Sequence, residues 1–267
     1  MGPETRALVT GASRGIGRAT AEALASRRCT LGLVARGSAE LEALTTELGA
    51  SGGRAFAYVA DVAERDQIEA AVSRFAQEGG GIDLLVANAG IAYFSPFREL
   101  PLEQAERITR VNWMGTLNSV AAVLPHMLDR ASGRIVIVSS AAAYRSFPWA
   151  AVYGASKAAQ HGFLEALRHE LSGTGVGITG VYPGEVDTHL HDQDRAHSRM
   201  PDWFRPRLAI PPSRVASAIV AAVERDRPDV HVPPATRVLR IVHGLSPALA
   251  DRMLRVMMGR TAAPARR

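Results

Sequence analysis

The stretch Thr10-Gly11-Ala12-Ser13-Arg14-Gly15-Ile16-Gly17 decides the fold of this chain. It follows a short apolar run, 6–10, with the pattern of a buried strand, and it opens an amphipathic stretch, 15–27, with the period of a helix. Glycines at this junction allow a tight turn and let the backbone approach a pyrophosphate, which the positive end of the helix dipole stabilises. The stretch therefore predicts a strand–turn–helix unit that binds a pyrophosphate, and a turn needed only for packing is the alternative.

Strand-like and helical patterns alternate along the chain to about residue 233, which implies right-handed crossovers and a parallel sheet with helices on both faces. We therefore predict an α/β fold: one doubly wound domain, 1–233, with a seven-stranded parallel sheet, and a helical tail, 234–267. Residues 185–212 are polar and rich in His and Pro, and their length predicts a flap over a site. The predicted strands are 6–10, 30–35, 54–59, 83–87, 134–139, 177–182 and 229–232; the predicted helices are 15–27, 38–49, 64–78, 102–130, 152–171, 213–224, 236–243 and 247–258.

The composition is that of an ordinary globular protein. Of 267 residues, 47% are hydrophobic and 21% charged, with 31 basic and 26 acidic residues, which argues against a disordered or fibrous chain. The lone Cys29 excludes an intramolecular disulfide. The His and Asp residues of the flap have no metal-ligand spacing, so we expect no metal. No stretch has the pattern of a membrane span or a secretion signal, and we expect a cytoplasmic protein.

A tyrosine and a lysine lie four residues apart in the predicted helix 152–171. Tyr153 and Lys157 would project from one face of that helix. A nearby ammonium lowers the pKa of a tyrosine from about 10 toward the working pH, as a general acid/base requires. The alternative is a solvated pair on a helix surface. Lys157 is the only lysine among the 31 basic residues, and a guanidinium is a poor replacement for a compact ammonium.

With these motifs the chain resembles the short-chain dehydrogenases/reductases of the TGxxxGxG subgroup, which have a Rossmann fold. The resemblance covers nearly the whole chain to about Val232 and rests on seven motifs in the family's order. They are the turn 10–17, Asp61, the run Asn88-Ala89-Gly90, Asn112, Ser140, the Tyr153/Lys157 pair, and the run Pro183-Gly184-Glu185-Val186-Asp187-Thr188.

The resemblance implies four catalytic residues. Tyr153 would be the general acid/base at the substrate oxygen, and Ser140 would hydrogen-bond that oxygen. Lys157 would lower the tyrosine pKa and hold the nicotinamide ribose. Asn112 would anchor a water in the proton relay.

The resemblance also implies a nicotinamide cofactor. Asp61 would meet the adenine, Asn88 would support the sheet beside the cofactor, and Thr188 would touch the nicotinamide amide. The cofactor-binding residues that it implies are Gly11, Ser13, Arg14, Gly15, Ile16, Gly17, Arg36, Asp61, Val62, Asn88, Ala89, Gly90, Tyr153, Lys157, Pro183, Gly184, Val186 and Thr188.

The residues after the second predicted strand indicate which nicotinamide cofactor is used. An acid there would hydrogen-bond a free ribose 2′-OH, whereas an arginine clamps a 2′-phosphate. The chain has Arg36 at that point and no acid, and Arg14 in the glycine turn is a second basic residue beside the same phosphate. We therefore expect NADP(H) rather than NAD, with incidental surface charge as the alternative.

Two segments predict an apolar pocket for a small-molecule substrate, a hydrophobic carbonyl or alcohol of steroid, acyl or terpenoid type. A 3-oxoacyl thioester is one such substrate, and packing of the flap or of a subunit contact is the other explanation of these aromatic residues. A non-catalytic cofactor sensor is a competing class that would be expected to lack Tyr153 or Lys157. The pocket candidates are Val186, Leu190, Met200, Trp203 and Phe204 in the flap, and Tyr144, Phe147, Pro148 and Trp149 in the loop 141–150.

The tail is basic and amphipathic. Residues 195–267 hold 14 basic and 5 acidic residues, against 17 and 21 in residues 1–194. The tail would pack on the body, join a dimer, or lie on a membrane surface as a lipid-binding element. It has no nucleic-acid-binding motif, so we expect no nucleic-acid partner. The resemblance implies a homodimer or homotetramer formed through helices 102–130 and 152–171. The apolar residues of the tail are Val238, Leu239, Ile241, Val242, Leu245, Leu249, Met253, Leu254, Val256 and Met257, interspersed with Arg237, Arg240, Arg252 and Arg255.

Overall fold

The chain is built around one parallel sheet, seen in a computed structural model that describes residues 1–188 and 209–258, with only the backbone of Leu254, Met257 and Met258. The seven strands run in the order β3-β2-β1-β4-β5-β6-β7. This arrangement confirms the predicted doubly wound α/β fold, and the order reverses between β1 and β4. The strands are β1 (Arg6–Thr10), β2 (Thr30–Ala35), β3 (Arg54–Val59), β4 (Leu84–Ala87), β5 (Gly133–Val138), β6 (Val176–Pro183) and β7 (Asp229–Val232).

Helices cross over between the strands and cover both faces of the sheet. Short 3₁₀ turns lie at Phe97–Glu99 and Ala141–Ala143. At α9, the Oγ of Ser246 accepts a hydrogen bond from the N–H of Leu249 at 3.3 Å, the N-cap expected from a serine before Pro247. The helices are α1 (Gly15–Ala25), α2 (Ser38–Ala50), α3 (Arg65–Gly79), α4 (Leu102–Ile108), α5 (Gly115–Asp129), α6 (Ala151–Glu170), α7 (Pro212–Glu224), α8 (Thr236–Leu245) and α9 (Pro247–Met258).

The helix predicted over 102–130 is confirmed from Leu102 to Asp129, but it is not α-helical throughout. A π-helical turn, Thr109–Met114, separates α4 from α5. It coincides with hydrogen bonds from the side chain of Asn112 to a neighbouring loop and to another helix. A wider turn of this kind often occurs at functional sites, because it changes the direction in which side chains project.

The sheet is buried on both faces, which explains the nearly continuous apolar character of its strands. Leu8 and Ile135 face the core under α3, α5 and α6, together with Phe75. Val9 and Val181 face the opposite core under α1, α2 and α7. Successive residues of a strand thus serve alternate cores, and burial of both fixes the register of the strands.

The segment predicted to be a flap lies mostly outside the described residues, at 189–208. Val186 and Ile210 form a parallel bridge, and the N–H of Asp187 donates to the carbonyl of Ile210 at 2.9 Å. The residues that flank the undescribed part of the segment are therefore held side by side. The pocket candidates Leu190, Met200, Trp203 and Phe204 lie outside the described part of the chain. No helix in residues 1–188 or 209–258 is both long and apolar enough to cross a bilayer.

Asp83 ties together the amino ends of three strands. Its carboxylate accepts hydrogen bonds from Nε and Nη2 of Arg6 at 2.6 and 2.7 Å, and from Nη2 of Arg130 at 2.6 Å. Its backbone N–H donates to Arg6, and its carbonyl accepts from Arg134 at the start of β5. Burial alone would raise the pKa of Asp83, but the hydrogen bonds from Arg6 and Arg130 outweigh it and hold the pKa below its usual range.

We expect Asp83→Asn to lower the free energy of unfolding by about 1–3 kcal/mol at pH 7, because two partly buried guanidinium groups lose their shared anion. A carboxylate with a lowered pKa contributes its stability above the unfolded-state pKa of about 3.9 and loses it as the pH falls through the folded-state pKa. Urea unfolding at a series of pH values should therefore show the difference shrinking below about pH 4. Glu42→Gln, on the exposed face of α2, is the control and should change stability by less than about 0.5 kcal/mol. An unchanged urea midpoint for Asp83→Asn at pH 7 would contradict this role.

Candidate active site

Two glycines shape the turn between β1 and α1. Gly11 has a φ of +65°, and a Cβ there would lie 2.8 Å from the Cα of Ala89. A Cβ on Gly17 would collide with the carbonyl oxygen of Gly11. Arg14, the residue that precedes α1, makes no side-chain capping hydrogen bond, so the first N–H groups of the helix point to the turn uncapped. This geometry suits the close approach of a pyrophosphate to the backbone.

Thr10 and Asn88 hold the carboxyl ends of β1 and β4 together. The Oγ1 of Thr10 accepts hydrogen bonds from the N–H groups of Asn88 and Ala89 at 3.1 and 3.2 Å. The Nδ2 of Asn88 donates to the carbonyl oxygens of Thr10 and Gly11 at 3.0 and 3.3 Å. The glycine turn and the end of β4 are thereby fixed relative to each other.

A cleft of about 270 Å³ opens at this point, where the order of the strands reverses. Four of the predicted cofactor residues, Gly17, Pro183, Gly184 and Val186, do not line it. The N–H of Gly184 donates instead to the carbonyl of Val232 at 2.7 Å, and the side chain of Val186 is buried in the core. The cleft is lined by Gly11, Ser13, Arg14, Gly15, Ile16, Val34, Ala35, Arg36, Gly37, Ala60, Asp61, Val62, Asn88, Ala89, Gly90, Ile91, Val111, Val138, Ser139, Tyr153, Lys157 and Thr188.

Tyr153 and Lys157 line the cleft, whereas the predicted catalytic residues Ser140 and Asn112 are not among its lining residues. Ser140 follows β5 and caps the 3₁₀ turn, since its Oγ accepts a hydrogen bond from the N–H of Ala142 at 3.1 Å. Tyr153 lies in the first turn of α6, and its side chain is hydrogen-bonded to that of Ser140. The Nζ of Lys157 donates to the carbonyl of Val138 at 3.0 Å and lies 5.9 Å from the centre of the Tyr153 ring. Ser140, Tyr153 and Lys157 are buried, which excludes a solvated pair on a helix surface.

Burial perturbs the two titratable groups in opposite directions. It raises the pKa of Tyr153, and the hydrogen bond with Ser140 only partly offsets this effect. It lowers the pKa of Lys157 to about 8. Desolvation of the phenolate thus opposes the lowering of the tyrosine pKa that the neighbouring ammonium was expected to cause, and that lowering stays a prediction.

Asn112 has a different set of contacts from the one that the sequence implied. Its Oδ1 accepts from the N–H of Ile91 at 2.8 Å, and its Nδ2 donates to the carbonyl of Ile91 at 2.9 Å and to the Oγ of Ser156 at 3.0 Å. Both Nδ2 donors are thus used to join the loop after β4 to α6. The role of Asn112 in holding a water stays a prediction.

Sequence reasoning missed Gln160, which supports this region from below. Gln160 is fully buried, and its Nε2 donates to the carbonyl of Asn112 at 2.8 Å and to the Oγ1 of Thr116 at 2.7 Å. The π-helical turn leaves that carbonyl open to a side chain. An amide on the inward face of a helix, three residues after Lys157, was the signal that could have identified it.

Two acids lie beside the two arginines expected to select the cofactor. The Nη2 of Arg14 lies 2.7 Å from the Oε1 of Glu40, and the Nη1 of Arg36 lies 3.7 Å from the Oδ2 of Asp61. No acid stands directly after β2, as the sequence shows, but Glu40 folds back from the first turn of α2 toward Gly37 and Arg14. The spacing of Glu40, three residues after Gly37 at the N-cap of α2, was the missed signal.

An aromatic cluster lies next to Tyr153. The ring of Phe94 meets the ring of Tyr153 edge-on at 5.8 Å between centroids, and Phe147 lies 5.7 Å from Phe94. The carbonyl of Trp149 accepts a hydrogen bond from the N–H of Ser95 at 3.0 Å. Aromatic side chains from two loops therefore form an apolar wall against the ring of Tyr153.

Tyr144 does not belong to that wall, contrary to the prediction from the sequence. It is buried against Tyr182, with 4.7 Å between ring centroids, and its hydroxyl is 3.1 Å from the Nε2 of His231. Within the described ranges, 1–188 and 209–258, no three His, Cys, Asp or Glu side chains gather into a metal site. The flap residues His189, His191, His197, Asp192 and Asp194 are not among those described.

Curated relatives are similar to this chain over most of its length. It is 38% identical over 221 residues to the glycine betaine reductase ATRR of Emericella nidulans, 35% over 259 residues to the probable oxidoreductase EphD of Mycobacterium tuberculosis, and 34% over 256 residues to the ketoacyl reductase HetN of Nostoc. The alignments cover 82%, 92% and 93% of this chain and 17%, 43% and 87% of those proteins. The chain thus spans less than half of the length of the first two.

Solved structures share the fold. A short-chain dehydrogenase/reductase from Burkholderia phymatum in complex with NAD has a TM-score of 0.83 and 26% identity, covering 92% of this chain and 94% of its own. A variant of actinorhodin polyketide ketoreductase with NADPH has a TM-score of 0.79 and 29% identity, covering 87% and 97%. The family model for short chain dehydrogenase matches residues 5–199. The chain therefore belongs to the short-chain dehydrogenase/reductase family.

Proposed function

We propose that this protein is an NADP(H)-dependent oxidoreductase that interconverts a carbonyl and a secondary alcohol of a hydrophobic small molecule. The observation that carries the proposal is that Tyr153 and Lys157 are buried side by side in the lining of a glycine-rich cleft, with the buried Ser140 in contact with Tyr153. A phenol, a hydroxyl and an ammonium in that arrangement can bind a substrate oxygen and move a proton to or from it.

Tyr153 is the proposed general acid/base. Because burial raises its pKa, the phenol keeps its proton at neutral pH and is ready to protonate the substrate oxygen during carbonyl reduction. Alcohol oxidation would need the phenolate, which the same burial disfavours. Ser140 contacts the phenol, and on substrate binding its single hydroxyl proton would turn to the substrate oxygen and give that oxygen a second hydrogen bond.

Lys157 is proposed to keep a positive charge beside the phenol. With a pKa of about 8 it is mostly protonated at pH 7. The carbonyl of Val138 fixes the Nζ, and the buried Asn112–Gln160 contacts hold α6 against the π-helical turn.

The residues of the cleft fit a nicotinamide dinucleotide. The uncapped start of α1 and the glycine turn would hold the pyrophosphate, Asp61 the adenine, and Thr188 the nicotinamide amide. When bound, the nicotinamide supplies or accepts the hydride.

The choice of NADP(H) rests on Arg14 and Arg36, whose guanidinium groups line the same cleft and are half-exposed. A 2′-phosphate would compete with Glu40 for Arg14 and with Asp61 for Arg36. A phosphate carries more charge than a carboxylate, and it can bind both guanidinium groups at once. Glu40 therefore weakens the preference for NADP(H) without abolishing it.

The substrate class is proposed from the aromatic wall of Phe94, Phe147 and Trp149 beside Tyr153. Steroid, acyl and terpenoid skeletons fit such a wall, and a 3-oxoacyl thioester is the candidate that the names of a ketoacyl reductase and a polyketide ketoreductase among the similar proteins favour. A non-catalytic cofactor sensor is disfavoured, because it would not need a buried tyrosine and lysine in hydrogen-bonded positions.

We also propose a homodimer or homotetramer formed through α4, α5 and α6. Large apolar side chains are exposed on α4, on the π-helical turn and on α5, at Leu102, Met114 and Leu128. Such residues are typical of a contact with a second copy.

Replacing the proposed acid should abolish the reaction but leave the cleft intact. We expect Tyr153→Phe to lower kcat for NADPH-dependent carbonyl reduction by about 10²–10⁴-fold, since the proton donor is lost. NADPH binding, followed by fluorescence, should be nearly unchanged. Tyr58→Phe, which removes a hydroxyl bound to Glu78 far from the cleft, is the matched control and should keep full activity. Unchanged turnover in Tyr153→Phe would remove Tyr153 from the mechanism.

The single lysine should resist replacement by arginine. The buried Nζ donates to the carbonyl of Val138 at 3.0 Å, and a planar, larger guanidinium is a poor replacement for a compact ammonium in that position. We expect Lys157→Arg to lower kcat by more than about 100-fold with the fold retained, judged by circular dichroism. A near-normal rate would show that any cation suffices at this position.

Cofactor selectivity should shift in opposite directions at two neighbouring positions. Arg36→Ala should raise the KM for NADPH by about 10-fold or more and leave that for NADH nearly unchanged, since only the 2′-phosphate loses a partner. Glu40→Gln should lower the KM for NADPH severalfold, because Arg14 is released and a negative charge is removed. Glu42→Gln on the same helix is the control. A lower wild-type KM for NADH than for NADPH would refute the NADP(H) proposal.

A further inference from the structure

The last two helices, α8 and α9, are attached to the body through charged residues. The Nη1 of Arg240 in α8 lies 3.1 Å from the Oδ2 of Asp229 in β7, and its guanidinium lies over the ring of Tyr144. Asp251 in α9 forms an ion pair with Arg145 of the loop 141–150. Ala250, which precedes Asp251 in α9, is fully buried. The inward faces of these helices thus contain the ionic contacts.

Their outward faces are apolar. Residues on each helix recur at intervals of three and four, so each set lies on one face. Their exposed fractions range from 38% to 82%, and these residues make up more than half of the large exposed apolar residues in the described chain. We call this surface the tail stripe: Val238, Ile241, Leu245, Leu249, Met253 and Val256.

Arginines border the tail stripe. Arg237, Arg252 and Arg255 each immediately precede a stripe residue and are exposed. Among the described residues, none of the three has an acid within ion-pair distance. Residues 234–267 contain seven arginines and one acid, Asp251. The surface therefore joins an apolar face to a strong positive charge.

We propose that the tail stripe docks on the surface of an anionic lipid bilayer, with its apolar side chains among the acyl chains and its arginines at the headgroups. Helices with an apolar face and arginines along its border bind membranes in this orientation. A second copy of the chain is a poorer occupant, because a symmetric contact between two stripes would bring their unpaired arginines together.

The position of the stripe next to the loop 141–150 adds a consequence that rests on the proposed function. That loop carries Phe147 and Trp149 beside Tyr153, and the Arg145–Asp251 ion pair joins it to α9. A hydrophobic substrate dissolved in the bilayer would then lie close to the loop that forms its pocket.

Vesicle binding of the full-length protein tests the docking without any turnover, so a failed enzyme assay would not affect the result. Sucrose-loaded vesicles of phosphatidylcholine, alone or mixed with phosphatidylglycerol, are incubated with the protein and sedimented. We expect binding to the anionic vesicles, weak binding to the neutral ones, and loss of binding at high salt.

Two sets of substitutions separate the apolar and the charged contributions. Leu245→Ser/Leu249→Ser/Val256→Ser and Arg237→Gln/Arg252→Gln/Arg255→Gln should each weaken binding to the anionic vesicles by about 100-fold. Val59→Ser/Phe97→Ser is the matched apolar control, and Arg65→Gln/Arg74→Gln/Arg98→Gln is the charge control, since both alter exposed side chains outside the tail. Melting temperatures check that all variants are folded.

Three results would overturn the proposal. One is the absence of wild-type protein from pellets of both kinds of vesicle. Another is an equal loss of binding in the control variants. The third is that the leucine and valine variant has a lower molar mass by light scattering but unchanged vesicle binding. That result would assign the stripe to a contact with a second copy of the chain.

Discussion

The site depends on the hydrogen bonds that join the ends of β1 and β4. The strand order reverses there, so the helices after the two strands diverge to opposite faces and leave a cleft between them. Thr10 and Asn88 close the gap between the strand ends with four hydrogen bonds. The backbone of Gly11 approaches Ala89 so closely that a side chain would not fit. The floor of the cleft is therefore rigid backbone, which favours recognition of phosphate by N–H groups.

Burial governs the chemistry at the other end of the cleft. Tyr153 and Lys157 share a helix face that packs against the sheet and the π-helical turn, and the polar atoms of that turn are occupied by Asn112, Ser156 and Gln160. Because the pair is shielded from solvent, the neutral phenol is favoured, and the pKa of the ammonium falls to about 8, which still leaves it mostly protonated at pH 7. On a solvated helix, the same two residues would have nearly ordinary pKa values, like any tyrosine and lysine on a protein surface.

The parts predicted from the sequence depended on local patterns. Strands buried on both faces are continuous apolar runs, and five of the seven motifs follow the end of a strand, so the parallel topology brings those motifs to one edge of the sheet. The π-helical turn was missed because it coincides with hydrogen bonds from Asn112 to residues distant in sequence. Glu40 was missed because its carboxylate meets Arg14, 26 positions away, across a turn. Tyr144 was misplaced because an aromatic side chain suits a pocket and a core equally.

The tail shows how the body sets the orientation of a surface. Asp229 accepts hydrogen bonds from Arg168 of α6 at 2.9 Å and from Arg240 of α8 at 3.1 Å, so one carboxylate orients the helix that follows β7. With Arg240 directed inward, the helical period forces Val238, Ile241 and Leu245 outward. Hydrophobic burial alone would have turned α8 the other way. The ionic contacts therefore keep an apolar face exposed to water. The unfavourable free energy of that exposure is removed when a second apolar phase covers the face. Tyr144 lies under Arg240 and is hydrogen-bonded to His231. The contacts that hold α8 in place therefore also hold the loop after Ser140.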